Sequence, residues 1–98
     1  MSAIYALATP PAQSAICMFR VSGKGCLDAI PRLFKNQLGS PRRFYKTEMI
    51  NSGVFVDSVA VVFFRGPKSF TGEDSFEVFA HGGLAVIGNI IDAFEGVG

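Results

Sequence analysis

Ninety-eight residues make one small domain at most, which buries a modest share of its surface when alone. Yet 49% of the residues are hydrophobic, ten are Phe, and the mean hydropathy is +0.35, more apolar material than a small monomer hides; a partner chain or more of the same protein is expected to cover part of it. A net charge of +1 excludes a global electrostatic footprint for nucleic acid, and the nearest basic patch, Arg42, Arg43 and Lys46, reads as a solvated edge.

In chain order, Ile4-Tyr5-Ala6-Leu7-Ala8 forms a short apolar strand, stopped by Thr9-Pro10-Pro11, because two prolines cannot join a ladder. Ala15 to Val21 is the next strand. Alternation places Ile16, Met18 and Arg20 on one face and Cys17, Phe19 and Val21 on the other. Arg20 is thus a lone charge on an apolar face. Either its stem packs and its head snorkels to water, or its guanidinium is held for a planar or anionic ligand. Leu27, Ile30 and Phe34 recur at helical spacing after Ser22-Gly23, and Pro31 predicts a bent or split helix there. Cys17 and Cys26 lack metal-ligand spacing and read as reduced core or near-core thiols.

Phe44 to Ile50 reads as a polar strand, Asn51-Ser52-Gly53 as a hairpin turn in which Gly53 takes positive φ, and Phe55 to Phe64 as the return strand. The continuous apolar run Val59 to Phe64 predicts burial on both faces. A loop follows, Gly66-Pro67-Lys68-Ser69-Phe70-Thr71-Gly72-Glu73-Asp74. It is either a plain connection with Asp74 and Ser75 solvated, or a binding loop on a rigid scaffold. The strand Phe76 to Ala80 puts Glu77 and Phe79 opposite Phe76 and Val78. His81-Gly82-Gly83 then opens a helix whose free N–H groups could hold an anion, although a lone histidine there is more often structural. The helix carries Leu84, Ile87, Ile91 and Phe94 on one stripe, widened by Val86 and Ile90, and Gly88 is expected to mark close packing. The elements make an α+β domain: a small mixed or antiparallel sheet with two helices.

Several chemistries are excluded by pattern. Ser22-Gly23-Lys24-Gly25 fails as a phosphate-binding P-loop and as a dinucleotide fingerprint, because the other required glycines and the Ser or Thr are absent. A single His81 leaves no second imidazole, so no metal site is expected. No run of about 18 apolar residues marks a membrane span, and the first residues lack a signal peptide's basic start and apolar core, so a cytoplasmic setting is expected.

The combination Gly66-Pro67-x-Ser69-Phe70-Thr71-Gly72-Glu73-Asp74 followed by Glu77-x-x-x-His81-Gly82-Gly83 resembles the N-terminal domain of the tRNA modification GTPase MnmE (TrmE) family. Ala8-Thr9-Pro10-Pro11 and Phe19-Arg20-Val21-Ser22-Gly23 extend the resemblance over nearly the whole chain. It implies a fold similar to the tetrahydrofolate-binding domains of that family and of glycine-cleavage T proteins. It also implies binding of 5-formyltetrahydrofolate or a related tetrahydrofolate, and homodimerisation. In the full-length family protein, GTP hydrolysis and modification of the tRNA wobble uridine with an FAD-dependent partner would follow.

Carried over residue by residue, the resemblance makes Arg20 and Glu77 the folate contacts, with a flat heterocycle between them. Ser69, Thr71, Glu73 and His81 are candidate supports of the ligand loop. No catalytic residue is assigned. The sequence departs from the family in reading Ala12-Gln13-Ser14-Ala15 where a glycine-rich turn is usual, and in placing Pro31 in the first helix. The expected organisation is one domain over residues 1–98, cut short at its C-terminal end and without a GTPase domain or motif. The alternative is a dimerisation and assembly module with no folate site.

Overall fold

The structure is a computed structural model that describes residues 4–7, 14–67, 69 and 72–97. The Thr9-Pro10-Pro11 stop and most of the Ala12–Ala15 turn lie outside the described residues. Five strands form one sheet: β1 (Ile4–Leu7), β2 (Ser14–Ser22), β3 (Tyr45–Asn51), β4 (Val54–Phe64) and β5 (Ser75–Gly82). Their order is β1-β2-β5-β4-β3, and every neighbouring pair is antiparallel. The α+β class holds, and the sheet is antiparallel rather than mixed.

Between β2 and β3 the helix is split as Pro31 requires. A 3-10 turn (Cys26–Ala29) leads into a single α-helical turn, α1 (Ile30–Leu33), with Pro31 in its opening positions where a missing N–H is tolerated. The chain turns extended at Phe34, which makes an isolated bridge to Met49. The second helix, α2, spans Leu84–Val97. The β3–β4 hairpin closes through Ser52 and Gly53, with φ of 52° and 83°, the two positive values that match the twist of the flanking strands.

Both helices pack on one face of the sheet. Phe19, Val21, Val61, Phe76 and Val78 point to that face and are fully enclosed against Leu33, Phe34, Ile90 and Phe94. Edge-to-face rings reinforce it: Phe19 with Phe94 at 5.5 Å and Phe34 with Phe76 at 6.0 Å between centroids. Cys17 and Cys26 are buried free thiols, as expected.

Three sequence expectations change. The run Val59 to Phe64 is enclosed on the helix side, whereas on the other face Val62 is buried and Ala60 and Phe64 are half-buried. Leu84 is 55% exposed because α2 turns Ile87, Ile90, Ala93 and Phe94 inward, and Leu84 sits at its first turn, beyond the sheet's cover. Gly88 is exposed with nothing within contact distance of an added Cβ, so it marks no close packing.

Candidate functional site on the open sheet face

The register of the strands aligns Ala6, Arg20, Glu77 and Val62 in one row across β1, β2, β5 and β4. This row lies on the face away from the helices. The next row on that face holds Met18, Phe79, Ala60 and Lys46. Phe44, 68% exposed, packs its ring 5.5 Å from that of Phe79, and Ile16 at the far end of β2 is 61% exposed. The open face is therefore mixed: apolar side chains surround the Arg20–Glu77 contact, and Lys46, Glu48 and His81 lie toward its far side.

Those two charges meet directly. Arg20 donates from Nε at 3.0 Å, and its second guanidinium nitrogen lies 2.9 Å away, both to Glu77 Oε2. Their side chains are 33% and 16% exposed. Such a charge-assisted pair in a partly dry setting is stronger than a surface ion pair. The two groups touch rather than frame a gap, so a heterocycle cannot lie between them without parting the bond. A planar ligand would instead rest on the pair or meet its edge. The clefts beside α1 and along β3–β4 include neither residue.

The loop from Gly66 to Asp74 meets the sheet one row away. Ser75 pairs with Ser22 and Phe64, two positions from Glu77, which places the loop base about 7 Å from the ion pair. Asp74 organises that base. Its carboxylate Oδ1 accepts the Gly66 N–H at 2.9 Å, and its carbonyl accepts from Gly23 N–H at 3.1 Å and from Cys26 Sγ at 3.2 Å. Ser75 is buried. Asp74 and Ser75 thus tie the loop down rather than stand solvated. Gly66 is needed for the close approach: a Cβ there would stand 2.6 Å from the Gly72 carbonyl oxygen.

Ser69 and Glu73 both sit in this loop, and the Ser69 hydroxyl donates to the Glu73 carbonyl, turning it toward the loop's own backbone. Thr71 lies outside the described residues. His81 is not part of the loop; it stands at the other end of β5, roughly 20 Å away along the strand. His81 and Gly82 belong to β5, so they do not open α2, whose first bond runs from Ile87 N–H to the Gly83 carbonyl. The His81 N–H donates to Asp57 Oδ2 at 2.9 Å, and its ring Nδ1 lies 2.9 Å from Asp57 Oδ1. The histidine is thus hydrogen-bonded to β4 through both its backbone and its ring. Its partner Asp57 passed unmarked in the sequence; the only carboxylate in a mostly apolar return strand was the signal.

Burial drives the thiol chemistry. The Cys26 thiol is pushed from 9.0 up to about 11, first by desolvation and then by the Asp74 charge. Burial also raises the Cys17 thiol, with the Asp57 charge second. Neither is an activated nucleophile. Among the described residues no group of three or more His, Cys, Asp or Glu side chains is placed to hold a metal, and no helix is long and apolar enough to cross a membrane.

Residues 3–97 match the family model described as "GTP-binding protein TrmE N-terminus". The chain is similar to proteins named tRNA modification GTPase MnmE. It is 37% identical over 95 residues to that of Helicobacter pylori (strain HPAG1), covering 97% of this chain and 21% of the relative. It is 38% identical over 95 residues to that of Thermotoga sp. (strain RQ2), covering 96% and 21%. For Gluconacetobacter diazotrophicus the identity is 38% over 100 residues, covering 97% and 23%. The chain spans about a fifth of the length of the curated relatives it matches. It belongs to the family of the GTP-binding protein TrmE N-terminus, and it corresponds to the N-terminal domain of the MnmE tRNA modification GTPases.

Proposed function

We propose that this domain binds a tetrahydrofolate, 5-formyltetrahydrofolate or a close relative, on its open sheet face and pairs with a second copy of itself through the same face. What supports the reading is the half-buried Arg20–Glu77 pair surrounded by apolar side chains on the open face. Two charges withdrawn from water contribute little net stability, so their place there calls for another role. A carboxylate matches the adjacent N–H and amino donors of a pterin edge, and a guanidinium offers a planar fork to ring or carboxylate oxygens. Ile16, Met18, Phe44 and Phe79 supply apolar area for a ring or a partner face. In the longer protein, GTP hydrolysis and tRNA wobble-uridine modification with an FAD-dependent partner, in the cytoplasm, would belong to segments beyond this chain.

The second reading is a self-pairing module without a ligand. The observation that favours it is the closure of Arg20 on Glu77, which already satisfies both charges. Calorimetric titration of 5-formyltetrahydrofolate into the chain separates the two. The first reading expects saturable heat, lost or weakened about tenfold or more in Glu77→Ala and Arg20→Ala. No heat at millimolar ligand, with a dimer in sedimentation, selects the second. A monomer that binds nothing contradicts both.

A further inference from the structure

The split helix leaves a cleft beside the end of β4. The α-helical portion ends after one turn, Phe34 is extended, and the chain bends at Lys35 and Asn36 before Leu38. The Arg42 N–H then ties the loop back to the Phe63 carbonyl at 2.8 Å. Between these segments and the end of β4 lies this cleft of about 440 Å³, within the range of small-molecule sites. It opens on the helix side of the sheet, opposite the Arg20–Glu77 face.

Its lining is mixed: apolar side chains share it with the polar Asn36 and Gln37. Leu27 and Ile30 come from the split helix, Phe34 and Leu38 from the segment after it, and Phe63 from β4. Two cations border it, Lys35 and Arg65, and no acidic side chain lines it. The Arg65 guanidinium stands 5.7 Å from the centroid of the Phe63 ring, so a cation–π contact keeps that charge over the wall. Lys35 Nζ lies 3.8 Å from Glu48, but these side chains are 66% and 47% exposed, and so long and wet an ion pair yields easily to a better anion.

We infer that this cleft binds a small amphiphilic anion: a single ring or short alkyl chain carrying one carboxylate or sulfonate. The apolar part fills the space between Leu27 and Leu38, over a floor formed by the buried Phe34 and Phe63, and the acid group lies at the rim between Arg65 and Lys35. Charge complementarity selects the class, since a neutral ligand would leave the two cations unused and a cationic one would meet only like charge.

The test is titration of the ¹⁵N-labelled chain with octanoate, with acetate as the control for charge alone. Octanoate is expected to shift the amides of residues 27–38 and 63–65 saturably, and acetate is not. Arg65→Glu and Lys35→Glu, both exposed positions with little bearing on folding, should each weaken octanoate about tenfold, and Arg65→Lys should restore most of it. The inference is overturned if octanoate shifts no amide in these segments, if acetate shifts them equally, or if both charge reversals leave the affinity unchanged. This outcome is independent of the folate reading, because the two sites lie on opposite faces.

Discussion

The two faces of the sheet are built from alternate residues of the same strands, yet they obey different rules. Toward the helices, Phe19, Val21, Val61, Phe76 and Val78 are sealed in a core of rings and branched chains. On the other side, Ile16, Met18, Phe44 and Phe79 remain partly or largely exposed around one ion pair. A period of two lets one strand serve both ends. The closed face fixes the fold, and the open face is free to carry charges that a core would reject.

The largest expected effect sharpens this contrast. Phe76→Ala should cost about 3–5 kcal/mol, because it empties a fully enclosed site beside Phe34. That is a large share of a small domain's total stability. Phe79→Ala, on the open face, should cost less, about 1–2 kcal/mol, since its side chain is only partly buried and packs beside Phe44. Urea denaturation of both variants reads the difference, and equal losses would break the distinction between the faces.

Next in size is the alkaline response of the closed side. The folded Cys26 thiol is raised from 9.0 to about 11, so its contribution is complete below pH 9 and is lost as pH rises toward 11. The unfolded chain releases the proton first, which favours unfolding. The loss should reach roughly 2–3 kcal/mol. Tyr5, raised by its hydrogen bond to Glu95, and the buried Cys17 thiol act in the same direction. In Cys26→Ala the slope of stability between pH 9 and 11 should flatten visibly, and an unchanged slope would contradict the assignment.

The open-face pair gives a smaller effect with a distinctive pattern. Glu77→Leu alone should destabilise by about 1–2 kcal/mol, because it removes the carboxylate that the half-buried guanidinium bonds. The double variant Arg20→Met, Glu77→Leu should return to within about 1 kcal/mol of the parent. A double variant far less stable than either single one would mean that the pair serves the fold. Smallest, and opposite in sign, is Gly88→Ala. With open space around its Cβ in α2, it should stabilise by about 0.5–1 kcal/mol, read as a rise in melting temperature.

Much of this contrast was legible in the sequence because it is local. Alternation placed Arg20 with Met18, and Glu77 with Phe79, before any pairing was known. Pro31 foretold the split helix, and Ser52-Gly53 the hairpin. What was missed depends on contacts between distant positions. Asp57 meets His81 across 24 residues, and Asp74 gathers Gly23, Cys26 and Gly66 at one point; neither leaves a period in the chain. The bond between Arg20 and Glu77 was hidden for the same reason, since pairing of β2 with β5 brings together residues 57 positions apart. Gly88 and Leu84 were misread because helical spacing gives a stripe but not where the sheet beneath it stops.

The central claim is that the open face with its ion pair receives a folate. Amide-shift mapping of the labelled chain with 5-formyltetrahydrofolate tests it most directly. The account predicts saturable shifts along β2 and β5, centred on Met18, Arg20, Glu77 and Phe79. An unchanged spectrum at millimolar ligand, or shifts confined to the helix-covered side, would contradict it.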